Sequence, residues 1–206
     1  GADSLILNTL DSYSLHWDGE PIYQSKQRSL YDGWRHKFVT ELDVYPCACS
    51  RKKIREHSAL IGDEWIYSGF CKTHTTKNKI IRSYRINLPQ PCPVSIDDAR
   101  LGLITDDLYK SSGDFVLFRP DGTLSYHLAS IVDDYHCGIN HVVRGEDLLL
   151  SSLRQAKIKN IMGQCNPKFL HLPLARNKEG QKLSKQNKAK SVDSNLASST
   201  LFDALN

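Results

Sequence analysis

The chain has 206 residues, 27 of them Lys or Arg and 23 Asp or Glu, for a net charge of +4 with histidine neutral. Hydrophobic residues make up 40% and three Trp, nine Tyr and six Phe can anchor a core, which excludes a disordered chain. No run approaches the ~20 apolar residues a membrane helix needs, and the first ten residues hold Asp3 and no basic cluster, unlike a signal peptide. Length allows one or two domains, and the small basic excess permits a nucleic-acid partner without requiring one.

Taken in chain order, residues 4–15 carry a loose helical stripe of Leu5, Ile6, Leu7, Leu10 and Tyr13, broken at Trp17-Asp18-Gly19. Ile22-Tyr23-Gln24 reads as a short strand. Ser25 is placed to cap a helix whose Leu30, Tyr31, Trp34, Phe38 and Leu42 recur at three- and four-residue steps. From Tyr45 to His74 periodicity fails, so this stretch must be organised by something other than an apolar face. Residues 82–88 alternate, with Ser83, Arg85 and Asn87 opposite Tyr84, Ile86 and Leu88, as in a half-buried strand. Pro89, Pro91 and Pro93 end it.

Further along, residues 115–118 and 123–126 flank the turn signal Arg119-Pro120-Asp121-Gly122, which predicts a hairpin. A helix follows over 126–135 and a strand over 140–144. Gly145-Glu146-Asp147 opens another helix that runs to Met162, with Gly163 as its stop. Phe169-Leu170-His171-Leu172 is the last clear strand. The Ser-rich stretch 191–200 reads as a connector, and an apolar pattern restarts at Leu201 as though the chain had been cut there. Strand–helix alternation at both ends with a hairpin between them predicts a doubly wound α/β domain carrying an insertion.

Six cysteines do not make a disulfide scaffold at this length, and a reducing compartment fits their uneven spacing better. Cys47 and Cys49 are two apart, so in an extended segment both thiols face one side. Cys71 supplies a third thiolate, and three thiolates plus one further ligand complete a tetrahedral structural zinc. The fourth ligand is open at this point: imidazole is the commoner partner and His57 and His74 are near, whereas Tyr67 would have to lose a phenolic proton, which a bound cation permits. Asp133 and Asp134 are adjacent and diverge on a helix, so they are not read as a metal pair.

Chemistry also concentrates in the loop Ala175-Arg176-Asn177-Lys178-Glu179-Gly180-Gln181-Lys182-Leu183-Ser184-Lys185-Gln186. A glycine-containing loop with lysines around a serine can fold over a polyphosphate and neutralise charge as pyrophosphate leaves. Composition alone reads Lys178, Lys182, Lys185, Lys188 and Lys190 as a solvated basic run. Arg144 stands at the end of a strand just before a helix, where open α/β sheets place ligand contacts, and a guanidinium there grips a carboxylate in bidentate geometry. The plainer alternative is an ion pair with Glu146 or Asp147; for Tyr126 it is a core aromatic after a hairpin.

Lys182-Leu183-Ser184-Lys185-Gln186 resembles the KMSKS loop of class I aminoacyl-tRNA synthetases. Leu15-His16-Trp17-Asp18-Gly19, Tyr23-Gln24-Ser25, Asp121-Gly122-Thr123-Leu124-Ser125-Tyr126-His127-Leu128-Ala129 and Val142-Val143-Arg144-Gly145-Glu146-Asp147-Leu148-Leu149 resemble the glutamyl branch of that class, in its order. Gln186, and Cys47-Ala48-Cys49 followed by Tyr67-Ser68-Gly69-Phe70-Cys71, are similar to the glutamyl-queuosine tRNA(Asp) synthetases, although the gap before Tyr67 is longer here.

The resemblance implies a class I synthetase Rossmann-like α/β core with an inserted zinc-binding, hairpin-containing subdomain. Its segments would be 1–44 (first half of the catalytic domain), 45–113 (zinc-containing insertion), 114–190 (second half with the lysine loop) and 191–206 (start of a C-terminal segment). It further implies that Lys185, with Lys182 and Ser184, contacts ATP, Lys185 serving catalysis, and that Tyr126 and Arg144 bind L-glutamate. Cys47, Cys49, Tyr67 and Cys71 would hold one structural zinc, and magnesium would accompany ATP. The implied reaction is glutamate activation by ATP and transfer to queuosine in tRNA(Asp), in a cytoplasmic, monomeric enzyme without a membrane partner. Alternatives are an ordinary glutamyl-tRNA synthetase fragment acting on tRNA(Glu), and a non-catalytic zinc-stabilised RNA-binding module. The chain departs from the family in having no His-x-Gly-His pair and no early Arg and Ser of the glutamate site. It reads as a core cut at both ends that could not complete the reaction alone.

Overall fold

The computed structural model describes residues 1–61, 64–183 and 191–205. In order, the elements are α1 (Ala2–Ser12), α2 (Arg28–Glu41), β1 (Val44–Cys47), α3 (Arg51–Glu56), β2 (Ser58–Ile61) and β3 (Glu64–Tyr67). Then come α4 (Phe70–Thr73), β4 (Ser83–Ile86), β5 (Pro93–Asp98), β6 (Gly102–Asp107), α5 (Leu108–Ser111) and β7 (Val116–Phe118). The chain continues through α6 (Tyr126–His136), β8 (His141–Gly145), α7 (Leu149–Ile161), β9 (Lys168–Leu172) and α8 (Ala197–Leu205). Contacts divide it into a unit of Gln27–Leu174 and a unit formed by Gly1–Lys26 with Ala175–Asn206.

The larger unit holds a four-stranded sheet in the order β6-β5-β9-β8. β9 runs parallel to both β5 and β8, while β6 closes the edge antiparallel to β5. Over it lie α6 and α7. Their Leu128, Ile131, Val132, Leu153, Ala156 and Ile158 are buried in one core with Val94, Ile96 and Phe169 of the strands. The helical stripe of α2 enters the same core, with Phe38 and Leu42 buried and Leu30, Tyr31 and Trp34 packed against it. Each large apolar side chain removed from water in this way stabilises the fold by about 1.5–3 kcal/mol. A second sheet, β1-β4-β7, is antiparallel and joins α2 to this core.

In the smaller unit, α1 and the segment before α8 meet through the Tyr13 hydroxyl, which donates to the Asp193 carbonyl at 3.0 Å. None of the residues of α1 is buried, and Leu5 and Ile6 are exposed, so its apolar stripe exists but is not covered within the unit.

Several expectations need correction. Ile22 and Tyr23 are not in a strand: among the described residues no strand pairs with them, and residues 24–26 form a 3-10 turn. Ser25 lies inside that turn, and α2 is capped by Gln27 without a side-chain bond. The alternation at 82–88 has no wet face, because Ser83 and Arg85 are buried as well as Ile86 and Leu88. Residues 123–126 give a single bridge, Phe118 with Leu124, before Tyr126 starts α6, so the turn is present but its second strand is not. Within 191–200 the chain is already helical, a 3-10 turn at Ser194–Leu196 leading into α8. The hairpin β5–β6, which carries the parallel sheet's edge, was not foreseen among the prolines and acids around it.

Candidate functional site

The aperiodic stretch after β1 is organised around sulfur. β1 carries Cys47 and the turn after it Cys49; β3 carries Tyr67 and α4 carries Cys71. The three thiol sulfurs all lie within 4.8 Å of one another. The Tyr67 hydroxyl sits 3.4 Å from Cys47 Sγ and 3.4 Å from Cys49 Sγ, and Cys49 Sγ is 3.5 Å from Cys71 Sγ. The Cys71 backbone N–H donates to the same phenol oxygen at 3.0 Å. Tetrahedral zinc with sulfur at about 2.3 Å and oxygen at about 2.0 Å separates its ligands by roughly 3.5–3.8 Å. The separations of 3.4–3.5 Å lie close to these and all three sulfurs are gathered within 4.8 Å, so the donor set fits a zinc ion.

The histidines take other work. His57 and His74 stack on the two sides of the Phe70 environment, with ring centroids 4.6 and 3.8 Å from Phe70, and His74 Nδ1 is 2.9 Å from the Phe70 carbonyl. The structure therefore brings Tyr67, and not His74, to the thiols. Burial pushes the Cys47 thiol up, but hydrogen bonding with Tyr67 and Cys49 and the charge of Arg85 outweigh it and bring it down to about 7. Burial, with Cys71 and Cys47 beside it, raises Cys49 to about 11. Burial and its bonds to the thiols raise Tyr67 well above an ordinary phenol.

Two features fasten the cluster to the sheet. Gly113 bridges to Tyr67 at a φ of 59°, and a Cβ there would stand 2.6 Å from the Tyr67 carbonyl, so only glycine allows this approach. Buried Asp114 is a hub: it accepts from the Tyr45 hydroxyl at 2.6 Å and the Leu88 N–H at 3.0 Å and pairs with Lys72 at 2.8 Å. Beside it Arg85 donates to the Asp114 carbonyl at 2.7 Å and stacks on the Tyr67 ring at 4.0 Å.

Arg144 ends up facing inward from β8. Its Nη2 donates to Ser152 Oγ and, at 2.9 Å, to Gln155 Oε1, both on α7. Tyr126, half exposed at the start of α6, is its neighbour. Burial lowers Arg144 from an ordinary guanidinium, with Tyr126 and Asp134 acting against that shift. The alternative ion pair fails for Glu146, which pairs with Arg100 at 2.8 Å. Asp133 and Asp134 diverge as expected, Asp133 accepting from Tyr31 and Asp134 lying 4.0 Å from Lys159.

Between the cluster and this arginine lies a cleft of about 310 Å³, lined by Tyr67, Arg85, Ser125, Tyr126, His127 and Arg154 among others. Burial, with Arg154 and Arg144 nearby, lowers His127 to about 4, so it is neutral at pH 7. The lysine loop is described as far as Leu183. Arg176 Nη1 donates to the Gly180 carbonyl at 2.9 Å, the Gln181 N–H to Asn177 Oδ1 at 2.8 Å, and Lys182 bridges back to Arg176. Ser184, Lys185 and Gln186 lie outside the described residues.

Asp114, Asp98, His171 and Ser152 were not singled out from sequence. The available signals were faint: His171 shares a strand face with Phe169, and Ser152 and Gln155 are three apart on α7.

Among the described residues no helix is long and apolar enough to cross a membrane. The family model for tRNA synthetases class I (E and Q), catalytic domain, matches residues 1–200. The chain is 39% identical over 199 residues to a glutamyl-Q tRNA(Asp) synthetase of Neisseria gonorrhoeae, covering 95% of this chain and 67% of that protein. It is 38% identical over 206 residues to one of Vibrio vulnificus, covering 100% of this chain and 64% of the relative. It thus spans about two thirds of the length of these curated relatives. In fold it is similar to a glutamate tRNA ligase from Elizabethkingia meningosepticum, crystallised with its amino acid (TM-score 0.72, 24% identity, 90% of this chain and 42% of that one). A glutamate-tRNA synthetase from Elizabethkingia anophelis gives a TM-score of 0.74 at 23% identity, covering 91% of this chain and 43% of that one. The chain belongs to the family of class I (E and Q) tRNA synthetase catalytic domains.

Proposed function

We propose that this chain is the catalytic portion of an ATP-dependent ligase that activates L-glutamate and transfers it to the queuosine base of tRNA(Asp). The observation that carries the reading is the Tyr67 oxygen seated among Cys47, Cys49 and Cys71, in a chain 38–39% identical to proteins named glutamyl-Q tRNA(Asp) synthetase. Arg144 and Tyr126 bind the glutamate, the guanidinium offering a charged N–H donor to its carboxylate. Lys185, with Lys182 and Ser184, contacts ATP and stabilises charge developing on the departing pyrophosphate. Magnesium is carried in with ATP. The four-donor cluster holds one zinc, which supplies folding free energy to the insertion rather than chemistry. The cleft beside Tyr126, about 310 Å³, is of the size that small-molecule sites take and gives the acceptor base a place next to the amino acid.

The test uses the complete protein, labelled glutamate, and tRNA(Asp) with and without queuosine beside tRNA(Glu). Charging confined to queuosine-containing tRNA(Asp) is expected, because unmodified guanine lacks the groups a fitted pocket would bond. Charging of the terminal ribose of tRNA(Glu), with none on tRNA(Asp), would transfer the assignment to an ordinary glutamyl-tRNA synthetase. Absence of any glutamate-dependent pyrophosphate exchange would leave the RNA-binding module.

A further inference from the structure

A chain of buried hydrogen bonds runs across the sheet from β5 to Arg144 on β8. It begins at Asp98, at the end of β5, which is 1% exposed. Asp98 Oδ1 accepts the backbone N–H groups of Arg100 at 3.0 Å and Leu101 at 2.9 Å. Its Oδ2 takes the His171 backbone N–H at 2.9 Å and lies 2.7 Å from His171 Nδ1. An ionised carboxylate is acceptor-only, so the Nδ1 proton belongs to the histidine and points at Asp98. His171 itself is 0% exposed on β9, and its Nε2 lies 2.7 Å from Ser152 Oγ. Ser152, also 0% exposed, receives Nη2 of Arg144. With the proton on Nδ1, Nε2 is the nearer acceptor for the Ser152 hydroxyl, the Leu148 carbonyl lying farther off at 3.2 Å, and the serine's lone pairs are left for the arginine.

We propose that Asp98, His171 and Ser152 are positioning residues that, through this directed chain, fix the plane of the Arg144 guanidinium for the substrate carboxylate. The idea rests on the reading of Arg144 as the glutamate contact. Packing gives no reason for such a chain, since apolar residues of similar volume fill a core at least as stably as a buried polar network does. The chain has one end that is neither buried nor saturated by backbone, and that end is Arg144, half-buried at the sheet's exit. A guanidinium held at Nη2 by both Ser152 and Gln155 cannot swing, and Nη1 is then the amino group presented to the carboxylate. Asp98 acts from three residues away by setting the tautomer, as a carboxylate behind a histidine does in acyl-transfer triads, although here nothing in the chain is a nucleophile.

Two variants of the complete protein separate this from simple stability. Ser152→Ala deletes one oxygen and should raise the glutamate KM about tenfold with the ATP KM nearly unchanged; the His171 Nε2 it leaves unpaired lowers the melting temperature, which by itself would not split the two constants. Asp98→Asn keeps the volume but offers an amide where Oδ2 accepted, so His171 must move its proton to Nε2 and turn the Ser152 hydroxyl away. Nitrogen-edited NMR of His171 should show the Nδ1–H tautomer in the wild-type protein and the Nε2–H tautomer in this variant, together with the raised glutamate KM. Glutamate and ATP constants rising together, or a glutamate KM unmoved in both variants, would overturn the relay. So would an Nε2–H tautomer in the wild-type protein. A wild-type protein with no glutamate-dependent exchange would instead overturn the reading of Arg144, and the relay's purpose with it.

Discussion

Two regions of this molecule solve the same problem in opposite ways. Around Cys47, Cys49, Tyr67 and Cys71 the elements are four to six residues long and the buried set is the cluster itself, with Tyr45, Ile54 and Phe70 packed at its margin. Around Arg144 the site hangs on two long helices, α6 of 11 residues and α7 of 13, laid over β8 and β9, and their apolar residues belong to the main core. In the first region donor atoms hold the backbone. In the second the backbone holds the donor atoms. A patch of that size cannot bury enough surface to offset its own ordering entropy, which is why metal ligands stand where a hydrophobic face would otherwise be needed.

The sharpest way to break this comparison is to remove a thiolate. Cys47→Ser should release zinc and let residues 44–73 open, since a structural zinc of this kind contributes on the order of 10 kcal/mol to its local fold. Metal analysis and limited proteolysis of that segment check it. Stoichiometric zinc in a Cys47/Cys49/Cys71 triple mutant would end the idea. The matching cut in the other region is Phe38→Ala, a fully buried ring under α6. It should cost about 3–5 kcal/mol of global stability while zinc content stays at one per chain. A joint loss of zinc and melting temperature would show that the regions fold as one.

Acid should find the second region through His127, whose Nδ1 is sealed from solvent with no hydrogen-bond partner. Folded, the ring takes up its proton only near pH 4; unfolded, it does so near pH 6.5. Between those values the unfolded chain binds the extra proton, so stability falls as pH drops from 6.5 towards 4 and is flat above 6.5. The full loss is roughly 3 kcal/mol. His127→Gln should flatten that window in denaturant titrations. If the slope persists, another group carries it.

How much of this could be read beforehand follows the same division. The stripe of α2 and the run from Gly145 to Gly163 were legible because a core-facing helix repeats its apolar residues. Cys47, Cys49 and Cys71 were legible as residue types, yet the choice of Tyr67 over His74 needed the distances, because spacing says nothing about which ring turns inward. Arg85 was misjudged since alternation marks a polar residue as wet, and here it is buried between Asp114 and the Tyr67 ring. Asp98 and His171 were invisible for a related reason. A buried polar pair has the composition of a loop and declares itself only when its partners from distant strands are in place.

The smallest effect sharpens the comparison most finely. Ser50 caps α3 inside the sulfur region, accepting the Lys53 N–H at 3.2 Å. Ser50→Ala should cost about 1 kcal/mol. In a region held by packing that would appear as a lower melting temperature. If zinc holds this one, ordering α3 is part of the work that metal binding performs, and the cost surfaces instead as roughly fivefold weaker zinc affinity. Competition with a chromogenic chelator measures that affinity, and a thermal melt of the loaded protein gives the control. A melting temperature that falls while zinc affinity holds would mean that α3 is ordered by the core and that the metal closes a site already formed.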